Sequence, residues 1–370
     1  MKKNNIVEAI KKYDFTFFLM SIAIFLIGLL NLYSITTATS DSSLAGIYKS
    51  QIIYFIFSII VGVTISFIRP KTLFRYSYAG YFFILILLVL VLFLGHTGMG
   101  AQRWIVLGKV RLQPSELMKV AVIMALARWF SKHDVDMELG LRELIIPFLI
   151  TFIPALLIIL EPDLGTGLLV ILIFMIMAFY RQLKWKTIGI IFVISLVCGG
   201  LTYKFGLKNY QRKRISTFLD PSADIKGSGY NAVQSKIAIG SGRIWGKGYQ
   251  KSSQASFNYL PEKHTDFVFS IFNEEHGFFG SIVLISLYAI LLFRFLWLAM
   301  SVGRMFDSVV SIGLMSIFFW HTFINMGMVA GLLPIVGLPL PLMSYGGSSL
   351  LTFGICCGIA TSISNSRNIF

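Results

Sequence analysis

A chain of 370 residues that is 56% hydrophobic, 15% aromatic and only 13% charged, with a mean hydropathy of +0.77, carries far too little polar surface for a soluble domain. Its net charge of +15 would suit a nucleic-acid binder in a soluble protein, but the basic residues fall between long apolar runs, which points to membrane topology and away from nucleic acid. Cys198, Cys356 and Cys357 all lie inside apolar runs, which excludes a disulfide framework or a cysteine metal site.

Apolar runs long enough to cross a bilayer occur at 15–33, 52–68, 76–94, 144–160, 164–180, 187–205, 278–297 and 309–333, with weaker spans at 115–130 and 348–363. The first run follows four lysines as a signal peptide would, but its length argues for a retained helix. The expected fold class is an all-α polytopic membrane protein of about ten transmembrane helices, one integral membrane domain over 1–370. With the N-terminus in the cytoplasm, Lys2, Lys3, Arg69, Lys71, Arg181, Lys184, Arg294, Arg304 and Arg367 lie inside, whereas the short outer loops hold only Lys49, Arg103, Lys109 and Arg111. The positive-inside rule thus sets both termini in the cytoplasm and turns the long polar loop over 206–275 outward.

Taken in chain order, the tail is polar and basic and the first hairpin carries no sign of chemistry. The outer loop over 96–113 is glycine-rich, and its Arg103-Trp104 pair reads as an interfacial anchor. The following helix opens Gln113-Pro114-Ser115-Glu116-Leu117-Met118-Lys119, with proline at the first turn. Glu116 and Lys119 share one face, and a charged pair entering a membrane helix signals either a polar cavity or a structural bridge. In Glu161-Pro162-Asp163-Leu164-Gly165-Thr166-Gly167, Asp163 sits where a helix N-cap belongs.

The long loop carries 10 Lys or Arg between positions 208 and 266 against 4 acids. Long loops are exempt from the positive-inside rule, so this charge asks for another cause, such as an anionic substrate. The cluster Arg212-Lys213-Arg214 opens the loop, where guanidinium groups are suited to grip phosphate oxygens, with anchoring to anionic lipid as the alternative. A short amphipathic helix is expected around 231–239. The glycine-rich stretch at 240–248 matches neither the P-loop nor the dinucleotide spacing. The loop ends in Tyr-Leu-Pro-Glu-Lys-His-Thr-Asp-Phe at 259–267, where His264 or Asp266 can accept a proton at neutral pH. The alternative reading is that Thr265 or Asp266 caps the helix that follows. Further on, Pro334, Gly337, Pro339, Pro341, Gly346 and Gly347 interrupt an apolar stretch, and broken backbone at that depth must be buried in protein or line a wet cavity. His321 and Asn325, four apart, either face that cavity or, the favoured reading, hydrogen-bond between helices.

The motifs at 113–119, 161–166, 210–214, 234–242, 260–267 and 339–348 together resemble the SEDS proteins (shape, elongation, division and sporulation) over nearly the whole chain. Gln234-Ser235-Lys236-Ile237-Ala238-Ile239-Gly240 is more similar to the RodA-like elongation branch than to the FtsW-like division branch. The chain departs from the family at Arg243-Ile244-Trp245, where relatives more often carry Gly-Leu-Phe. The resemblance implies an enzyme of the bacterial inner membrane, a peptidoglycan glycosyltransferase that polymerises lipid II during elongation, with a class B penicillin-binding protein as partner. It places the catalytic carboxylate at Asp266 and puts Glu116, Lys119 and Asp163 in a central cavity, with Arg212, Arg214 and His264 as further substrate-binding candidates. No metal ligand set is read from the chain, and charge on the leaving diphosphate is met by basic side chains or by a divalent cation, Mg or Mn. The rival from another class is a flippase or other transporter of lipid-linked precursors, since intramembrane charges and broken helices also mark transport paths. Against it stands the density of chemistry in one outer loop.

Overall fold

The structure, a computed structural model, describes residues 13–38, 44, 46–98, 101–108, 110–133, 138–206, 209–220, 224 and 227–367. Its helices are α1 (Thr16–Ala38), α2 (Ile47–Ser66), α3 (Pro70–Leu94), α4 (Pro114–Phe130), α5 (Leu141–Leu160), α6 (Leu164–Tyr180), α7 (Trp185–Leu201), α8 (Asn209–Leu219), α9 (Ser228–Gly242), α10 (Ser253–Ser256), α11 (Val268–Ser301), α12 (Met305–Val329) and α13 (Gly347–Arg367). Each of the ten expected spans coincides with one of these helices. Among the described residues, 8 helices are long and apolar enough to cross a membrane. Of the remaining two, α6 has 17 residues, and α4, also 17 residues, carries Glu116, Lys119 and Arg128.

Burial separates the centre of the bundle from its lipid face. α4, α12 and α13 are buried on most sides, and Met118, Ile123 and Leu126 meet Val309, Leu314 and Ile317 in one apolar core. In contrast, the span from α7 through the π turn Thr202–Gly206 has 0% of its apolar window buried, and a helix that is apolar all round without a protein partner must face lipid. α13 lies against α2 at backbone distance: a Cβ on Gly358 would fall 2.2 Å from the Gly62 carbonyl oxygen. Small residues here allow the close packing that replaces hydrophobic drive in a membrane.

The connection after α3 is not helical. Strands β1 (His96–Gly98), β2 (Ala101–Leu107) and β3 (Val110–Leu112) form an antiparallel sheet in the order β1-β2-β3. Leu107 pairs with Val110, and Gly108, with a positive φ of 64°, begins the reversal between them. The all-helical expectation missed this small sheet, although Ile-Val-Leu-Gly-Lys-Val-Arg-Leu at 105–112 is a recognisable hairpin signal.

The glycine-rich stretch turns out to be a splice in a helix. α11 breaks at Gly277, whose φ is 65° and ψ −160°. The break frees the carbonyls of Glu274 and Glu275 and the amides of Phe278 and Phe279, which would otherwise pair with each other along the helix. The 243–248 segment takes both sets: Lys247 N donates to Glu274 O at 2.9 Å, Gly248 N to Glu275 O at 3.0 Å, Phe278 N to Arg243 O at 2.9 Å and Phe279 N to Ile244 O at 3.1 Å. With these amides consumed, the segment cannot cradle a phosphate. Gly246 is required at the crossing, because its φ is +79° and a Cβ there would sit 2.1 Å from the Glu275 carbonyl oxygen. Arg243, by contrast, is held at φ 48° and ψ −141°, a conformation proper to glycine.

Gly246→Ala should therefore destabilise the protein by roughly 2–5 kcal/mol through backbone strain and overlap. Arg243→Gly should stabilise it by about 1–2 kcal/mol. Thermal unfolding in detergent reads both, and a neutral Gly246→Ala would contradict the splice.

Candidate active site

Asp266 is positioned by its own backbone. Carbonyls at three consecutive residues of its loop are held from outside: Tyr345 N donates to His264 O at 2.9 Å, Ser344 Oγ to Thr265 O at 2.6 Å, and Asn325 Nδ2 to Asp266 O at 3.0 Å. Upstream, buried Lys263 donates to Ala255 O at 2.8 Å and to Asn258 Oδ1, tying the loop to α10. The capping expectation fails for Asp266. α11 begins at Val268, its N-cap position is Phe267, and no side chain caps it. The Asp266 carboxylate makes no hydrogen bond to any described residue. It lies over Gly337, where a Cβ would approach Oδ2 to 3.3 Å. Burial pushes its pKa up to about 6, helped by the charges of Glu262 and Asp163 and opposed by Arg214. A carboxyl poised there can take a proton near neutral pH.

The segment over Asp266 is the broken stretch between α12 and α13, and its carbonyls are satisfied by side chains. Asn325 Nδ2 also donates to Leu338 O at 2.7 Å, His321 Nδ1 bonds Pro339 O at 3.0 Å, and Tyr288 OH donates to Pro341 O at 2.5 Å. Since Pro339 O can only accept, His321 Nδ1 carries the proton and Nε2 is left as an acceptor. Lys119 Nζ lies 2.8 Å from that Nε2 and 2.8 Å from Glu116 Oε1. Lys119 is fully buried, so its charge depends on this pair of partners. Glu116 and Lys119 thus meet as their spacing predicts. His321 and Asn325, read from sequence as cavity-facing or interhelical hydrogen-bonding residues, bond the broken segment and also reach Lys119 and the Asp266 carbonyl.

Asp163 does cap α6, accepting from Thr166 N at 3.2 Å and Thr166 Oγ1 at 3.0 Å. It also accepts from Gln113 Nε2 at 3.2 Å and lies 3.8 Å from Arg103 Nη1. Arg103 is not an interfacial anchor: its guanidinium donates to Glu161 O at 2.9 Å and to Pro162 O. Glu161, passed over in the sequence, is buried with neither carboxylate oxygen hydrogen-bonded. Burial, and then the Asp163 charge, pushes its pKa up to about 8, opposed by Arg103.

The basic cluster at 212–214 is divided by the helix that bears it. Arg214 Nη1 donates to Val336 O at 3.3 Å, beside the Asp266 site. Arg212 Nη2 instead donates to Lys204 O at 2.7 Å, and Lys213 pairs with Asp224 at 3.1 Å. Arg212 is thereby tied back to the end of the preceding span and is not brought to Asp266. The His264 ring faces Tyr345, with centroids 6.0 Å apart. Among the described residues no three His, Cys, Asp or Glu side chains converge as a metal site. A divalent cation beside Asp266 would take most of its oxygens from substrate and water, as Mg2+ does in phosphate sites.

The FtsW/RodA/SpoVE family model, described as cell cycle protein, matches residues 14–369. The chain belongs to this family. The peptidoglycan glycosyltransferase MrdB of Escherichia coli (strain K12) is 40% identical over 324 residues, 88% of this chain and 87% of that protein. MrdB of Helicobacter pylori (strain ATCC 700392 / 26695) is 36% identical over 330 residues, 86% of this chain and 84% of that one. A peptidoglycan synthase complex, solved for its coordination of polymerization and crosslinking, contains a chain that superposes with a TM-score of 0.82 at 30% identity, covering 96% of this chain and 98% of that one. The rod shape determining protein RodA of Thermus thermophilus superposes with a TM-score of 0.71 at 28% identity, over 96% and 97%. The helical polytopic membrane fold of this family member is thus shared with solved relatives.

Removing one member of the buried Glu116–Lys119 pair strands the other charge, which costs about 3–5 kcal/mol. Glu116→Gln and Lys119→Met should each lower the unfolding temperature in detergent, and the double variant should lose less than the sum. Additive losses would show that the two charges are not coupled.

Proposed function

We propose that this protein is a peptidoglycan glycosyltransferase that polymerises lipid II at the outer face of the bacterial inner membrane during elongation, with Asp266 as its general base. The observation that carries the reading is the Asp266 carboxylate: its backbone is fixed, its oxygens have no hydrogen-bond partner among the described residues, burial raises its pKa to about 6, and the Arg214 charge acts on it. The names of the MrdB relatives support the activity. The coordination of polymerization with crosslinking in the solved synthase complex supports a class B penicillin-binding protein as partner. The positive-inside distribution supports cytoplasmic termini and an outward-facing site.

The chemistry follows from the substrate. Lipid II carries an α-linked sugar diphosphate and the polymer is β-linked, so one in-line displacement inverts the anomeric centre. The acceptor hydroxyl forms the new C–O bond while the bond to the diphosphate breaks. Asp266 takes the hydroxyl proton, and the diphosphate leaves with its electron pair and needs no general acid. Its growing negative charge is met by nearby cations, of which Arg214 is the one beside Asp266. The Glu116–Lys119–His321 chain, attached to the same 338–339 backbone, supplies a fixed polar wall. Asp163 and Arg103 hold the opposite rim at the start of α6.

Asp266→Asn should fold normally and lose about 10²–10⁴-fold of the polymerisation rate with purified lipid II, and normal yield from folded variant would sink the assignment. His264→Ala should be milder, and the reverse ranking would move the base to His264. A transporter would move lipid-linked precursor across vesicles without forming polymer, so product length separates the rival class. The base acts in its ionised form, so kcat/KM should fall as pH drops through about 6. The Arg214 charge lowers the Asp266 pKa, so Arg214→Gln should move that acid limb to higher pH. A limb that stays in place or moves to lower pH would disconnect the two residues.

A further inference from the structure

An open cleft lies between α8, α9 and the turn that follows α12. Three polar side chains line it. Arg214 has only the Val336 carbonyl as hydrogen-bond partner. Lys236 has no hydrogen bond or ion pair with any described residue. Thr217 is 3% exposed and its Oγ1 has no partner. Phe218, Met328 and Ile335 supply apolar walls.

The bland role for Lys236 would be to cap α12, whose C-terminal end it overlies: a Cβ on Gly331 would fall 2.6 Å from Lys236 Nζ. That role is already filled. Ala330 N donates to Met326 O at 2.9 Å, Leu332 N to Gly327 O at 2.8 Å and Gly331 N to Met328 O at 3.1 Å. Val329 O accepts from Ser235 Oγ at 2.7 Å. With the last carbonyls of α12 satisfied, the Lys236 ammonium has no partner among the described residues and is not needed as a cap. Two cations and a buried hydroxyl without a partner, flanked by apolar side chains, suit phosphate oxygens on a hydrocarbon chain.

We propose that Lys236, Arg214 and Thr217 form a head-group site for a prenyl diphosphate, with the diphosphate on the three polar groups and the start of the chain against Phe218, Met328 and Ile335. The site rests on the glycosyltransferase reading, where it receives the departing lipid diphosphate. Arg214 joins the two places, since its charge also acts on Asp266. The sequence reading placed this function on Arg212 and Arg214, and the fold exchanges Arg212 for Lys236.

Equilibrium binding of radiolabelled undecaprenyl diphosphate to the purified full-length protein in neutral detergent tests the site without turnover. Lys236→Ala should weaken binding roughly tenfold or more, as loss of a charge-assisted bond does, and Lys236→Arg should retain most of it at an unchanged unfolding temperature. Thr217→Val, which keeps the shape, should weaken binding less. Inorganic pyrophosphate and phosphatidylglycerol should compete poorly. Unchanged binding in Lys236→Ala overturns the site. Equal competition by pyrophosphate reduces it to a free-anion site, and equal competition by phosphatidylglycerol makes it a general lipid contact; either overturns the prenyl diphosphate assignment. Lys236-dependent binding by a protein that makes no polymer would leave the site standing and remove the glycosyltransferase reading alone.

Discussion

Backbone polar groups cannot be left bare at membrane depth, and the centre of this protein is arranged around that constraint. The chain between α12 and α13 is unwound, and its carbonyls accept from Asn325, His321 and Tyr288. The same side chains then carry the site. Asn325 reaches on to the Asp266 carbonyl, and His321 turns its second nitrogen to Lys119. Satisfying the broken segment and positioning the two reactive regions are one hydrogen-bonded system. A defect in any of these three side chains would disturb fold and site together.

The electrostatics divide into two kinds of charge. Lys119 and Glu116 are buried and paired, so their charge is neutralised locally and serves to fix geometry. Asp266 and Arg214 act on each other without a direct hydrogen bond between them, which leaves each with bonding capacity for a ligand. Burial raises the Glu161 pKa to about 8, which limits the negative charge beside Asp163.

The spans were legible because apolar length alone specifies them, and α6 begins and ends where its run of apolar residues does. The Glu116–Lys119 contact was equally legible from its spacing. What sequence left open depended on distant partners. Whether Asp266 caps α11 turns on where that helix starts, one residue after Phe267, and local pattern does not decide this. Arg103 reads as an anchor until the β1–β3 sheet carries it to the Glu161 carbonyl. Lys236 has no distinguishing neighbour in sequence, because its role comes from α9 packing over the end of α12. The glycines at 240–248 match no phosphate-binding spacing, and the structure gives their reason: close approach of one main chain to another demands glycine.

The splice at Gly277 bears on how the protein is built. The head of α11, residues 268–276, cannot complete its hydrogen bonding from its own helix; its last carbonyls depend on Lys247 and Gly248, made some 30 residues earlier. Those donors precede α11 in the chain, so they are already present for the joint when α11 emerges. Assembly of the 243–248 segment is thereby coupled to that of α11, and the loop that carries Asp266 is mounted on this joint. Substitutions in the 243–248 segment belong with defects of biogenesis, to be sought in the amount of protein that reaches the membrane rather than in the rate of the protein that does.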